Sequence, residues 1–261
     1  MFKIKNMSQK KLYFFANWKM YLDYDESNIL ANGLVEVLKN KKRDYEMTIF
    51  PNALSLQSTS QTFNDIGINT GIQNGYWIDK GGYTGETSFM MAENIGCKYA
   101  LLGHSERRHQ FKETNHEIRM KLENILNNTK LIPVLCVGET QQERNEDKTL
   151  EILEAQLRAA YDSLAWDKDR SLIIAYEPVW AIGTGNACEP LDAQIQHERI
   201  KKITNQLIPE VKPIILYGGS VNAENCFDYI KQEDISGVLV GGSSTKFESW
   251  LEIIKAGEKD V

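Results

Sequence analysis

Leu172-Ile173-Ile174-Ala175-Tyr176-Glu177-Pro178-Val179-Trp180-Ala181-Ile182-Gly183-Thr184-Gly185 is a short apolar run that ends on a carboxylate and opens into a loop. The run is too apolar to alternate, as a strand buried on both faces should be. The loop after it starts stiff, from Pro178 to Trp180, and is glycine-punctuated at Gly183 and Gly185. Such a strand would deliver Glu177 into a hinged, partly apolar lid, predicted to run from Pro178 through Asn186 and Ala187 to Cys188. A carboxylate is a feeble base while hydrated, so a base that takes a proton from carbon needs cover of this kind.

Similar runs recur on both sides of this stretch: Leu12–Ala16, Met47–Phe50, Ile68–Ile72, Tyr99–Leu102, Leu131–Val137, Ile214–Tyr217 and Val238–Val240. Between them lie apolar stripes at helical spacing. Ile118, Leu122, Ile125 and Leu126 form one, and Leu150, Leu153, Leu157, Tyr161 and Leu164 another. Ile200, Ile203 and Leu207 form a third, and Phe247, Trp250, Leu251 and Ile254 a fourth. Strands alternating with helices or loops, without linker or charge block, predict an α/β protein built as a parallel (β/α)8 barrel. An open doubly wound sheet is the alternative. It is weakened because no Gly-x-Gly-x-x-Gly follows the first strand and no Walker phosphate loop is present. Residues 1–261 read as a single domain, with 1–10 a polar extension and Met7 a second possible start.

Composition narrows the function classes. The chain has 261 residues, 42% hydrophobic and 25% charged, an ordinary globular balance. A net charge of −6 argues against nucleic acid or an anionic membrane as the main partner. No apolar stretch approaches the roughly 20 residues of a membrane span. Cys97, Cys136, Cys188 and Cys226 are scattered without metal-ligand spacing, which reads as free thiols in a reducing, cytoplasmic setting. The lysine-rich start precedes an apolar run too short for a signal peptide.

In such a barrel, chemistry sits where strands end and loops begin. That rule selects Asn17 and Lys19 after the first strand, His104, Ser105 and Glu106 after the fourth, and Glu177 after the sixth. Gly218-Gly219-Ser220 and Gly241-Gly242 follow the last two. Each has a bland reading beside the functional one. A lone lysine is ordinarily on the surface, and a lone histidine after a buried strand is more often packed than catalytic. The polar residues after His104 predict a short helix, whose first turn would favour a neutral ring. Glu106 is either a surface residue or the group that orients Lys19. Glycine pairs are plain turns or, at these strand ends, an anion cradle of backbone N–H groups. Base, neutral electrophile, cation and cradle, with no metal ligands or cofactor fingerprint, fit cofactor-free proton transfer α to a carbonyl in a small phosphorylated substrate.

The motifs also carry a resemblance. Asn17-Trp-Lys-Met20, Gln73-Asn74, Tyr83-Thr-Gly-Glu86, Leu101-Leu-Gly-His-Ser-Glu-Arg-Arg108 and Cys136-Val-Gly-Glu139 stand in one order with Tyr176–Gly185, Tyr217-Gly-Gly-Ser-Val221 and Leu239-Val-Gly-Gly242. Together they resemble the triosephosphate isomerase family over nearly the whole chain. That family is a well-known worked case of pKa tuning, with a glutamate base, a neutral histidine and a closing loop, so these roles come from the family. The resemblance implies a TIM barrel, interconversion of dihydroxyacetone phosphate and D-glyceraldehyde 3-phosphate, no cofactor and a homodimer. It implies Glu177 as base, His104 as proton shuttle, Lys19 as cation, Asn17 as substrate ligand and Glu106 as support for Lys19. Cys136 would pack behind the base. Phosphate would meet N–H groups of Gly183, Ser220, Gly241 and Gly242, with Tyr217 and Ser220 latching the closed lid. Thr84 would reach Asn17 and Glu106 of a second copy.

Departures from the family pattern mark what is particular to this chain. The far hinge is Asn186-Ala187-Cys188 in place of Lys-Thr-Ala, and Ser243-Ser244-Thr245 replaces Ala-Ser-Leu. Tyr21 stands where Asn is common, and Lys201 where Arg is usual, which loses fork geometry toward Asp234. Cys188, placed in the lid, is the thiol expected to react first. Two other classes remain: a Schiff-base aldolase, which wants a lysine where the sixth strand has Tyr176-Glu177, and a dead barrel that only binds.

Overall fold

The computed structural model describes residues 10–183 and 187–258. Eight strands, β1 (Leu12–Asn17), β2 (Tyr45–Phe50), β3 (Asn69–Ile72), β4 (Tyr99–Leu102), β5 (Ile132–Val137), β6 (Ile173–Tyr176), β7 (Ile214–Tyr217) and β8 (Gly237–Val240), pair in chain order and close into a barrel. All pairings are parallel, and β1 closes on β8 with Phe15 opposite Leu239. This is the (β/α)8 TIM barrel expected from the alternating runs.

The register explains why those runs fail to alternate. Tyr13, Phe15, Phe50, Tyr99, Leu101, Val134, Ile173, Leu216 and Leu239 fill the barrel interior. Their neighbours, such as Phe14, Ala16, Leu102, Leu135 and Ile174, pack outward beneath the helices. Period-2 side chains therefore meet apolar surroundings on both faces.

The helices begin at recognisable caps. Capping boxes pair Asp23 with Glu26, Thr114 with Glu117 and Thr140 with Glu143. Pro190 opens the helix Pro190–Leu207, where its missing N–H costs nothing. Three stripes lie on Asn115–Asn128, Pro190–Leu207 and Phe247–Gly257. The remaining stripe needs correction: its helix is Thr149–Tyr161, so Leu164 lies beyond its end and Leu150 is exposed. Among the described residues no helix is long and apolar enough to cross a membrane.

Parallel pairing places every strand's C-terminal end on one rim, where the pocket forms. The opposite rim is tied by charge. Glu46 there accepts from Lys11 at 2.5 Å, Lys98 at 2.6 Å, Asn69 at 3.1 Å and the Tyr99 hydroxyl. Burial opposes ionisation of Glu46, but the lysine and tyrosine donors outweigh it and hold the carboxyl at about 2.

Candidate active site

The C-terminal ends of β1, β4, β6, β7 and β8 surround one pocket with about 180 Å³ of free space. Its walls are Asn17, Lys19, Tyr21, His104, Glu177, Ile182, Gly183, Gly218, Gly219, Ser220, Gly241, Gly242 and Ser243, together with apolar Val221, Leu239 and Val240.

Glu177 is almost completely buried at the end of β6. One carboxylate oxygen accepts the Ser105 N–H at 2.8 Å, and the other lies 3.2 Å from His104 Nε2. Two glycines make this seat possible. A Cβ on Gly138 would stand 1.8 Å from the Glu177 carbonyl oxygen, and one on Gly218 would stand 2.9 Å from Glu177 Cγ. Cys136 is buried behind the base. Burial, then the Glu177 carboxylate, push its thiol well up, so it stays an uncharged packing group.

His104 precedes the short helix Ser105–His109 predicted for this segment. Its Nδ1 accepts the Glu106 N–H at 3.3 Å, which places the ring proton on Nε2, facing Glu177. Lys19 lies across the pocket in the left-handed region, with φ +50°, a conformation that costs a lysine about 1 kcal/mol or more. Asn17 Oδ1 accepts its N–H at 3.0 Å, and Gln73 Nε2 donates to its carbonyl at 2.8 Å. Its ammonium forms an ion pair with Glu106 at 2.7 Å.

The first residues of the expected lid are anchored just past the end of β5. Val179–Ala181 forms a turn of 3-10 helix, and the Val179 N–H donates to the Glu139 carbonyl at 3.0 Å. The Trp180 indole donates to the buried Glu139 carboxylate at 2.8 Å, where the Tyr176 hydroxyl also donates. Arg144 stacks on the Trp180 ring at 4.2 Å. Burial raises the Glu139 carboxyl above its ordinary value; these donors pull the other way without cancelling it. Ile182 and Gly183 reach the pocket. Thr184, Gly185 and Asn186 lie outside the described residues.

At the far hinge the expectation for Cys188 fails. Its side chain is buried, and burial pushes the thiol up to about 12, so it is poorly placed to react first. The Tyr229 hydroxyl bonds its carbonyl and holds it against the stacked Tyr217–Tyr229 pair. In Ser243-Ser244-Thr245, Ser244 keeps the serine of the family pattern and Thr245 stands for leucine; both hydroxyls turn to backbone carbonyls. Ser244 Oγ donates to Val240 and Gly241, and Thr245 Oγ1 to Gly242. They therefore brace the carbonyls of the glycine pair. Thr84 is not among the pocket residues. It is exposed on the loop after β3, beside a Tyr76, Trp77 and Tyr83 cluster.

Comparison with known proteins decides the family. The model of the family "Triosephosphate isomerase" matches residues 12–257. The triosephosphate isomerase of Dictyoglomus thermophilum is 40% identical over 244 residues, covering 92% of this chain and 97% of the relative. That of Chloroherpeton thalassium is 38% identical over 252 residues, covering 95% and 100%. That of Aquifex aeolicus is 39% identical over 241 residues, covering 92% and 96%. The chain belongs to the triosephosphate isomerase family. It is an isomerase by that membership.

Three residues at this isomerase site have no role that the sequence alone assigns. Gln73 and Glu139 are visible there only as motif letters, because their partners Lys19 and Trp180 lie far away in the chain. Tyr21 is visible only as a departure, yet it lines the pocket.

Proposed function

We propose that the chain interconverts dihydroxyacetone phosphate and D-glyceraldehyde 3-phosphate by cofactor-free proton transfer through an enediolate. The observation that carries this reading is the convergence of Lys19, His104 and Glu177 on one small pocket ended by two glycine pairs.

Glu177 takes the proton from one carbon and returns it to the next. It must first leave the Ser105 N–H, and that departure also frees the His104 Nε2–H for a substrate oxygen. His104 then moves protons between the two oxygens as a neutral acid and base. Lys19, steadied by Glu106, stabilises charge as it grows on oxygen, and Asn17 fixes the substrate. Backbone N–H groups of Gly183, Ser220, Gly241 and Gly242 hold the phosphate. The lid, Pro178 to Cys188, closes over it with Tyr217 and Ser220 as latch. Closure matters because an enediolate beside a phosphate-bearing carbon can expel that phosphate if water and motion allow.

The same reading makes residues 1–261 a single domain that works as a homodimer in the cytoplasm. Met20, 93% exposed beside the pocket, and the exposed Tyr83–Glu86 tip support a second copy docking there, with Thr84 meeting Asn17 and Glu106. All four thiols are free, which suits a reducing compartment.

The test is isomerisation of dihydroxyacetone phosphate in heavy water by the purified chain. Aldehyde product carrying deuterium at the carbon next to the carbonyl is expected. Failure to isomerise, or transfer of protium without exchange at any substrate concentration, overturns the proposal. Activity that stays constant on dilution past the point where sedimentation shows monomers would remove the dimer from it.

A further inference from the structure

The turn after β1 sets two side chains against the two glycines that end β8. The Lys19 backbone is held at both ends, by Asn17 and Gln73, and the Tyr21 N–H closes the turn on the Trp18 carbonyl at 3.2 Å. Trp18 itself is buried, so the turn has a fixed base. From it, Lys19 Cε lies 3.2 Å from where a Cβ on Gly241 would stand. The Tyr21 ring lies 3.7 Å, at Cε2, and 3.9 Å, at Cζ, from the same point on Gly242. Lysine and tyrosine thus cover one glycine each.

We propose that Tyr21 is a specificity-determining residue, an aromatic wall beyond the anion cradle that admits a terminal phosphate monoester and blocks anything attached past its phosphorus. The inference deepens the triose phosphate reading and rests on it. Gly241 and Gly242 bring their N–H groups close to an anion but have no side chains to exclude a larger group bonded to it. Tyr21 supplies that limit from a neighbouring loop. It lines the pocket beside Gly242 and Ser243 while 61% of its surface stays exposed. An asparagine, the common residue at this position in the family, is shorter and leaves that side open. The contact is made by ring carbons, so the ring and not the hydroxyl forms the wall.

The experiment uses the full chain and two competitive inhibitors of its isomerase activity, inorganic phosphate and pyrophosphate, which is phosphate extended by one phosphoryl group. Tyr21→Ala should lower the inhibition constant of pyrophosphate about tenfold relative to that of phosphate, as expected when a steric block in a site is removed. Tyr21→Asn should do the same, which keeps the test available if the alanine variant folds poorly. Tyr21→Phe should keep the wild-type ratio. A ratio unchanged in Tyr21→Ala and Tyr21→Asn overturns the proposal, and so does a shifted ratio in Tyr21→Phe. A shift that appears only at concentrations where sedimentation shows dissociated chains also overturns it, because the ring would then act through an interface. Wild-type protein that neither isomerises triose phosphate nor binds inorganic phosphate would instead sink the function proposed above.

Discussion

The two ends of the barrel each hold a glutamate, half-buried at one and buried at the other, and they treat it in opposite ways. At the N-terminal rim, Glu46 is saturated by Lys11, Lys98, Asn69 and Tyr99. At the C-terminal rim, Glu177 is more deeply buried but meets only neutral donors, a backbone N–H, an imidazole and the Cys136 thiol, with Lys19 spent on Glu106. A carboxylate fully matched by cations stabilises the fold and has no reason to take a proton. One kept dry with few, easily surrendered partners is available as a base. Position in the same fold does not decide the task; the partners do.

The sharpest way to break this contrast is to neutralise each glutamate in turn. Glu177→Gln should cut kcat by about 10³-fold or more, the usual worth of a general base, while thermal unfolding stays close to wild type. Steady-state kinetics beside calorimetry would show it, and near-normal turnover would remove Glu177 from the chemistry. Glu46→Gln should do the reverse. We expect kcat to hold and stability to fall by about 1–2 kcal/mol, discounted because both lysines are largely exposed.

Acid titration separates the two ends on one axis. His197 packs beneath the C-terminal rim against Tyr176, with its Nδ1 2.7 Å from the Ala193 carbonyl. Burial lowers its pKa from 6.5 to about 4. The folded state therefore resists protonation, and stability present above pH 6.5 is lost as pH falls from 6.5 through 4, by on the order of 2–3 kcal/mol. Glu46 is depressed from 4.5 to about 2, so its contribution is complete above pH 4.5 and disappears as pH falls toward 2. Denaturant unfolding at stepped pH should show two successive losses. His197→Gln should abolish the upper one alone; an unchanged upper step would refute the assignment.

The smallest expected effect is Lys201→Arg. Lys201 bonds Asp234 at 2.5 Å, and Gln194 takes the other carboxylate oxygen at 2.6 Å. Burial works against ionisation of Asp234, but these two donors prevail and keep its carboxyl below the ordinary value. A guanidinium fork would have to displace Gln194 to bind both oxygens, so the gain should stay below about 0.5 kcal/mol. A larger rise in melting temperature would mean that the fork geometry matters more than the glutamine.

Legibility in the sequence followed burial. Strands enclosed on both faces announced themselves as unbroken apolar runs, and the observed β4 and β7 match them end for end. The weakest signal was β3, Asn69-Thr-Gly-Ile72, whose small and polar residues fit a crowded interior without looking hydrophobic. The helix Leu56–Asn64 buries Thr59 and Ser60 on its inner face, so its stripe is invisible to an apolar count. At the site, the strand-end rule selected residues from their own local context. Gln73, Glu139 and Tyr21 act on groups supplied by other loops, and no spacing within one motif could reveal such pairings.

The closure of β1 on β8 has a consequence for how copies of this chain can meet. A ring of strands offers no row of vacant amides and carbonyls, so neighbours cannot be recruited by extending the sheet. Any encounter must be negotiated through loops and side chains, where sequence can discriminate. Only a chain whose ring has sprung open would present a sticky border, which ties protection from aggregation to keeping that one seam shut.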